Sequence, residues 1–287
     1  MHYYKIAGFV MALDGFNSEY FKNRMSEYEI PDANHADITV SFSCNGEVPM
    51  PKGEKIAVAN NFREYYLDGE TFSIHDFLSE ELGYSAAIIS DIKTSRAFCY
   101  LKDIQSMGGA PVDIRCFNML GELFRYFMLN HNGFVLHSSC IDFSGNGLAF
   151  SAPSGTGKST HTGLWKTHYG DSVTVINDDS PAVRIIDGKP YVSGIPWSGT
   201  TGINTNKTSP LNAIVMLSQA KENTINDVDP IQSLFLVLEE ISRPAFEVFS
   251  EKLMQTLDTV MSQVPVLHLG CNISKEAVDT VKNRLSL

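Results

Sequence analysis

The chain has 287 residues, 33 acidic and 22 basic side chains, a formal charge of −11, and 43% hydrophobic residues. The acidic balance and the lack of any Lys/Arg run exclude a duplex nucleic-acid binder, which needs a basic face against phosphates. Length and composition suit a soluble globular protein of one large or two small domains.

Five cysteines (Cys44, Cys99, Cys116, Cys140 and Cys271) are scattered and form no C-x-x-C pair. That pattern fits the reduced thiols of a cytoplasmic protein better than a disulfide framework or a zinc site. The N-terminal apolar run is short and has no basic n-region, so it reads as a first strand rather than a signal peptide. No stretch approaches the roughly 20 apolar residues of a membrane span, so no membrane partner is expected.

The first 112 residues read as a β-rich domain. Ile38 to Phe42 alternates, Tyr65 to Phe72 is a hairpin around Asp68-Gly69, and Ala86 to Ile89 and Ala97 to Leu101 form another strand pair. Pro49 and Pro51 mark a loop. A linker lies near Gly108-Gly109-Ala110-Pro111, and a second domain spans 113–287. It opens with a helix over 114–130, where Phe117, Leu120, Phe124 and Phe127 share one face.

Strands follow at Phe134 to Ile141 and Gly147 to Ser151, then a Gly-rich loop and a helix ending near Gly170. Val173 to Ile176 is an apolar strand running into Asn177-Asp178-Asp179. Val183 to Ile186 and Tyr191-Val192 flank an Asp187-Gly188 turn. A buried strand at Ile214 to Leu217, helices at 231–242 and about 246–262, a strand at Val266 to Leu269 and a helix near 274–285 complete the chain.

The chemistry is concentrated in the middle. Ala152-Pro153-Ser154-Gly155-Thr156-Gly157-Lys158-Ser159-Thr160 follows a strand and opens a helix. Gly155 and Gly157 let successive N–H groups converge on one point, as a phosphate-binding loop requires. Ser154, Gly155, Thr156, Gly157, Lys158, Ser159 and Thr160 are the expected nucleotide contacts. Lys158 would reach the β- and γ-phosphates, and Ser159 would ligate Mg²⁺. Ala152 replaces the first glycine of G-x-x-x-x-G-K-[ST].

Twenty residues after Lys158 comes the Asp178–Asp179 pair. On a strand, adjacent side chains point to opposite faces. One aspartate can then face a metal and the other an incoming hydroxyl. The competing reading is a solvated turn, since Asn-Asp-Asp-Ser-Pro is also good turn chemistry. His137, on the strand before the loop, is a third candidate.

The ordered spacing of His137, Ser154-Gly155-Thr156-Gly157-Lys158-Ser159 and Asp178-Asp179 resembles the nucleotide-binding core of HPr kinase/phosphorylase and ATP-dependent phosphoenolpyruvate carboxykinase. The resemblance covers residues 134–183 closely. The remainder of the second domain is similar to HPr-kinase-related proteins, some of which act on serines of peptides in natural-product pathways. It implies an α/β fold (α+β overall), a phosphoenolpyruvate carboxykinase-like P-loop core with a mixed sheet behind the smaller β-rich domain.

It also implies ATP as nucleotide, Mg²⁺ (or Mn²⁺) held by Ser159 and Asp179, and Asp178 as base toward a serine hydroxyl. The reverse assignment of the two aspartates stays open. His137 would sit near the γ-phosphate or the metal, and Lys158 completes the catalytic set. A homo-oligomer is in keeping with the family.

Trp197-Ser198-Gly199-Thr200-Thr201-Gly202 stands where HPr kinase/phosphorylases carry an Arg/Gly-rich signature, which puts HPr as acceptor and phosphorolysis in question. A phosphoenolpyruvate carboxykinase is about twice as long, and the basic residues for a dicarboxylate have no counterpart here. Lys207 and Arg243 are further candidates to stabilise the transferring group.

The expectation is therefore an ATP- and Mg²⁺-dependent kinase acting on a serine of a protein or peptide. The alternatives are a small-molecule hydroxyl kinase, and a nucleotide-binding regulatory or scaffold protein without transfer activity.

Overall fold

The structure, a computed structural model, describes residues 1–15, 18–44, 46–241 and 246–287, the side chains at 246 and 247 excepted. The fold is mixed α/β, with two mixed sheets and six α-helices among the described residues. The chain divides into two compact units, Met1–Asn130 with Arg243–Ser250, and His131–Ser242 with Glu251–Leu287.

The first unit contains β1 (His2–Ile6), β2 (Phe9–Asp14), α1 (Glu19–Met25), β3 (Glu29–Ile30), β4 (Ile38–Ser43), β5 (Glu54–Ala59), β6 (Arg63–Asp68), β7 (Thr71–Ser79), β8 (Gly83–Asp91), β9 (Arg96–Leu101) and α2 (Val112–Asn130). Its sheet runs β3-β1-β2-β4-β9-β8-β7-β6-β5. The β2–β4 and β4–β9 pairs are parallel and the others antiparallel. The N-terminal run read as one strand is a hairpin, since Ala7 and Gly8 both take positive φ and fold β1 onto β2. Helix α1 interrupts a region read as β. The Ser18 side chain accepts from the Phe21 N–H at 3.2 Å, and Phe21 and Met25, four residues apart, share the buried face.

The compact units part after Asn130, whereas the sequence expectation placed a boundary after residue 112. The reason is the packing of α2. Phe117 meets Tyr20 and Phe21 edge-on at 5.6 Å, Phe127 meets Phe9 at 5.0 Å, and Tyr126 meets Phe72 at 4.8 Å. The helix is buried almost all round from Arg115 to Leu129, as a central core helix must be.

The second unit contains β10 (Gly133–Val135), β11 (Ser138–Phe143), β12 (Asn146–Ser151), α3 (Lys158–Tyr169), β13 (Val173–Asn177), β14 (Ala182–Ile186), β15 (Lys189–Ser193), β16 (Thr208–Gln219), β17 (Thr224–Asp227), α4 (Pro230–Glu239), β18 (Val266–Cys271) and α6 (Lys275–Arg284). Helix α5 (Phe246–Met261) divides between the units after Ser250. The strand order is β10-β14-β15-β16-β12-β11-β13, with β18 also paired to β16 and β17 to β18. Parallel pairs β12–β16 and β16–β18 lie at its centre. Helices α3 and α6 cover one face. Trp165 of α3 and Val278 and Val281 of α6 are fully buried against Ile141, Phe150, Val215 and Leu269.

Two expectations change here. The single strand from Phe134 to Ile141 is two strands broken at Leu136-His137. There the Leu136 N–H donates to the Pro181 carbonyl and the His137 N–H to that of Glu240. His137 therefore sits in the break and not in a strand. The acidic strand β13 pairs with β11, one strand away from β12, which feeds the loop. It ends at Asn177, so both aspartates lie on the turn beyond it.

Candidate active site

The loop between β12 and α3 is shaped by its glycines. Gly155 and Gly157 take φ of 81° and 121°, which a residue with a β-carbon adopts only with strain. The Thr156 N–H and hydroxyl both donate to the Pro153 carbonyl, at 3.2 and 2.8 Å. Ala152 is 1% exposed and its methyl belongs to the core beneath the loop. That accounts for alanine at the position where the motif has glycine. Ser159 and Thr160 are exposed at the start of α3.

Lys158 is buried, and its ammonium donates to the Ala152 carbonyl at 2.8 Å. It also lies 3.1 Å from His137 Nε2. An ammonium can only donate, so Nε2 must carry a lone pair. The His137 proton is then on Nδ1, which donates to Glu240 Oε2 at 2.7 Å. The break between β10 and β11 places the imidazole in this row, and Glu240, at the end of α4, anchors its far side. Burial pulls the Lys158 pKa below its ordinary value, against the opposing pull of Glu240, Asp179 and Asp178.

The acidic turn is fixed from several sides. Asn177 Oδ1 accepts from the N–H groups of Asp179 and Ser180 at 2.9 and 2.7 Å, an Asx-type turn. Asp178 is buried, and its Oδ1 accepts from Ser139 Oγ at 2.6 Å. Ser139 has spent its hydrogen there, so Thr162 of α3, at 2.8 Å, donates to Ser139. Asp179 is half-exposed. Its Oδ2 accepts from Ser180 Oγ at 2.6 Å and its Oδ1 lies 3.9 Å from His137 Nε2.

The Trp197–Gly202 loop abuts this turn. Gly199 has φ of 62°, and a β-carbon there would fall 2.9 Å from Asp179 Cγ. The Asn177 side chain also donates to the Ile195 and Trp197 carbonyls, and the Asp178 N–H to that of Ile203.

His137, Ser154, Gly155, Gly157, Lys158, Ser159, Thr160, Asp178 and Asp179 line one cavity of 280 Å³. Thr156 lies in the same loop and lines an adjacent cavity. The oxygens of Ser159 and Asp179 are the hard donors Mg²⁺ prefers, and Mg²⁺ takes only one or two carboxylates because it keeps waters and substrate phosphates. No cluster of three or more His, Cys, Asp or Glu fit for a metal occurs among the described residues. Ser159 and Asp179 line the same cavity, and their oxygens are of the kind Mg²⁺ takes.

Lys207 does not join the site. It donates to Asp142 Oδ1 at 2.8 Å, and Ser209 donates to Oδ2 at 2.6 Å. Burial works against the Asp142 charge, but these hydrogen bonds prevail and hold its pKa below the usual range. Arg243 lies outside the described residues.

Glu240, Ser139 and Thr162 had not been singled out in the sequence. Glu240 is 103 positions from His137 and carries no local motif. Ser139 and Thr162 are ordinary polar residues until the sheet order puts them beneath Asp178.

No helix is long and apolar enough to cross a membrane among the described residues. No family model matches the chain, and no curated protein matches it. Solved structures do. One is the Hpr(Ser) kinase/phosphatase from Coxiella burnetii, with a TM-score of 0.31 and 9% identity, over 52% of this chain and 95% of that one. That is a weak link at the level of fold.

Proposed function

We propose that the chain is an ATP- and Mg²⁺-dependent phosphotransferase that moves the γ-phosphoryl group to a hydroxyl, with a serine of a protein or peptide as acceptor. The observation that carries this reading is the single cavity lined by the phosphate loop, Lys158, His137 and both aspartates. Phosphoryl transfer asks for positioning and charge neutralisation above all, and this set supplies both.

The loop N–H groups receive the phosphates. Lys158 exchanges the Ala152 carbonyl and His137 Nε2 for phosphate oxygens. Ser159 and Asp179 would hold the divalent cation, which would supply positive charge against the phosphates. Asp178 takes the proton of the attacking hydroxyl on Oδ2, while Ser139 holds Oδ1 and fixes the carboxylate plane. His137, freed from Lys158, keeps its orientation through Glu240. The half-exposed Asp179 and the exposed loop residues leave the cavity open to a side chain carried on a larger acceptor.

Asp178→Asn tests the assignment, because the amide oxygen can still accept from Ser139 while the base is lost. Transfer of labelled phosphate to a peptide pool should fall roughly 100-fold or more, with nucleotide affinity within about twofold of the wild type. Undiminished turnover in this variant would sink the role of Asp178 and leave Asp179 as the base.

A further inference from the structure

Helix α4 finishes at the candidate site. Glu240, its C-terminal cap, accepts from His137 Nδ1 at 2.7 Å. The rest of the helix has no part in that site, yet its outer face is left open. Ser233 and Val237 are buried on its inner side. Ile231 is 69% exposed and Phe235 60%. Four residues apart, the two are neighbours on one helix face. Leu234 and Leu238, half-buried, continue the stripe at the i, i+3, i+4 and i+7 spacing of an apolar face. Single exposed apolar side chains are ordinary, whereas a contiguous stripe marks a docking surface.

The charges around the stripe limit what can cover it. Asp229 caps its start, and Glu239 stands exposed at its end. No Lys or Arg occurs between Lys221 and Arg243. Arg284 reaches this stretch but is taken by Asp227 at 2.6 Å. The helix C-terminus adds partial negative charge beside Glu239. A second copy packed on this face, parallel or antiparallel, would set carboxylate against carboxylate at both ends. An anionic lipid surface would meet the same repulsion. An amphipathic helix with Lys or Arg beside its apolar face matches both the stripe and its ends.

We propose that the exposed face of α4 docks the phosphoryl acceptor, through an apolar and basic helical segment that adjoins the target serine of the acceptor polypeptide. This rests on the phosphotransferase reading of the adjacent site. Ile231, Leu234, Phe235 and Leu238 take the apolar face, and Glu239 pairs with a basic residue at the end nearest the serine. The helix is about 15 Å long and closes on Glu240, so a segment lying along it ends beside His137. Docking raises the effective concentration of the hydroxyl and leaves the chemistry unchanged.

The test uses the full chain and three labelled peptides. One carries a leucine- and lysine-bearing amphipathic helix before a serine tail, one has glutamates for the lysines, and one is the tail alone. Binding is read by fluorescence anisotropy without nucleotide, and transfer with labelled ATP and Mg²⁺. The lysine peptide should bind roughly 10-fold more tightly than the glutamate peptide. Its KM should lie roughly 100-fold below that of the tail, at similar kcat. Phe235→Glu, and separately Ile231→Glu, should erase both advantages and leave transfer to the tail unchanged. Both side chains are exposed, so neither change reaches the core. Glu239→Lys should turn the preference toward the glutamate peptide.

Equal wild-type binding of the three peptides overturns the docking surface. An advantage that survives both Phe235→Glu and Ile231→Glu also overturns it. A wild-type dimer that Phe235→Glu converts to a monomer gives the face to a second copy instead. Binding to phosphatidylserine vesicles that Phe235→Glu abolishes gives it to a membrane. Lysine-peptide binding that Phe235→Glu abolishes, with transfer to none of the peptides, keeps the docking surface and overturns the phosphotransferase reading.

Discussion

Two clusters of charged side chains in this molecule are built on opposite plans. In the first unit, Arg63 grips Asp76 through two hydrogen bonds of 2.7 and 2.9 Å. Arg125 donates to Glu122 at 2.7 Å, and Tyr65 donates to the other Glu122 oxygen at 2.9 Å. Two cations face two carboxylates. Burial works against the Arg63 charge, yet its carboxylate partners hold its pKa above the usual value. In the candidate site, three carboxylates (Asp178, Asp179 and Glu240) surround one ammonium beside the His137 imidazole, a surplus of two carboxylates over the ammonium. A matched cluster is complete and serves the fold. An unmatched one is stable only in partnership with water or a ligand, and a divalent cation would bring it level. The contrast follows a general tendency of functional sites to perturb the balance that structural ion pairs keep.

The largest expected effect breaks the matched side. Asp76→Ala leaves Arg63 buried without its main partner and should cost about 3–5 kcal/mol in urea denaturation. Replacing Arg63 and Asp76 together by apolar residues should recover most of that loss. A neutral single substitution would mean that this cluster is no more structural than the phosphate site.

Acid comes next, because each unit buries one neutral histidine. His75, between the rings of Tyr66 and Tyr84, and His161 both have folded pKa values lowered to about 4 by burial, against 6.5 unfolded. Between these values the unfolded chain binds more protons. Their contribution is thus fully present above pH 6.5 and is lost as pH falls toward 4, by roughly 3 kcal/mol at most for each. Urea midpoints that stay flat from pH 7 to 4 would contradict the burial of both rings.

On the unmatched side, Lys158→Met should reduce transfer roughly 100-fold and leave the urea midpoint within about 0.5 kcal/mol of wild type. A large stability loss would instead make Lys158 a structural cation. The smallest effect belongs to Glu240→Gln, which keeps an acceptor for His137 and removes the charge. Turnover should fall roughly tenfold, because a neutral amide holds the His137 ring less firmly than a carboxylate. Unchanged turnover would confine Glu240 to holding the backbone of the β10–β11 break.

The sequence was most legible where the chemistry is local. Asp68-Gly69 and Asp187-Gly188 named their hairpins because positive φ at the turn demands such residues. The turn at Gly155 and Gly157 that leads into α3 was readable for the same reason. The second unit's strands at 146–151 and 173–177 fell where apolar runs placed them.

What stayed hidden depends on distant pairing. Nothing near His137 announces the break that takes it out of a strand, since the acceptors of that break are the carbonyls of Pro181 and Glu240. The place of α2 was equally hidden. A helix buried all round shows no polar face from which to tell its partner, and Gly108-Gly109-Ala110-Pro111 drew the boundary to the wrong end of it. Lys207 looked available for phosphate until Asp142, 65 positions earlier, was seen to claim it.

Gly199 carries no chemistry, yet the room its β-carbon would need is already taken by Asp179. The bare α-carbon works as a gauge that passes the aspartate at one setting only. Alanine at this position would push the carboxylate aside without altering a single charge or hydrogen-bonding group. One methyl group at residue 199 is therefore enough to displace a carboxylate of the candidate site.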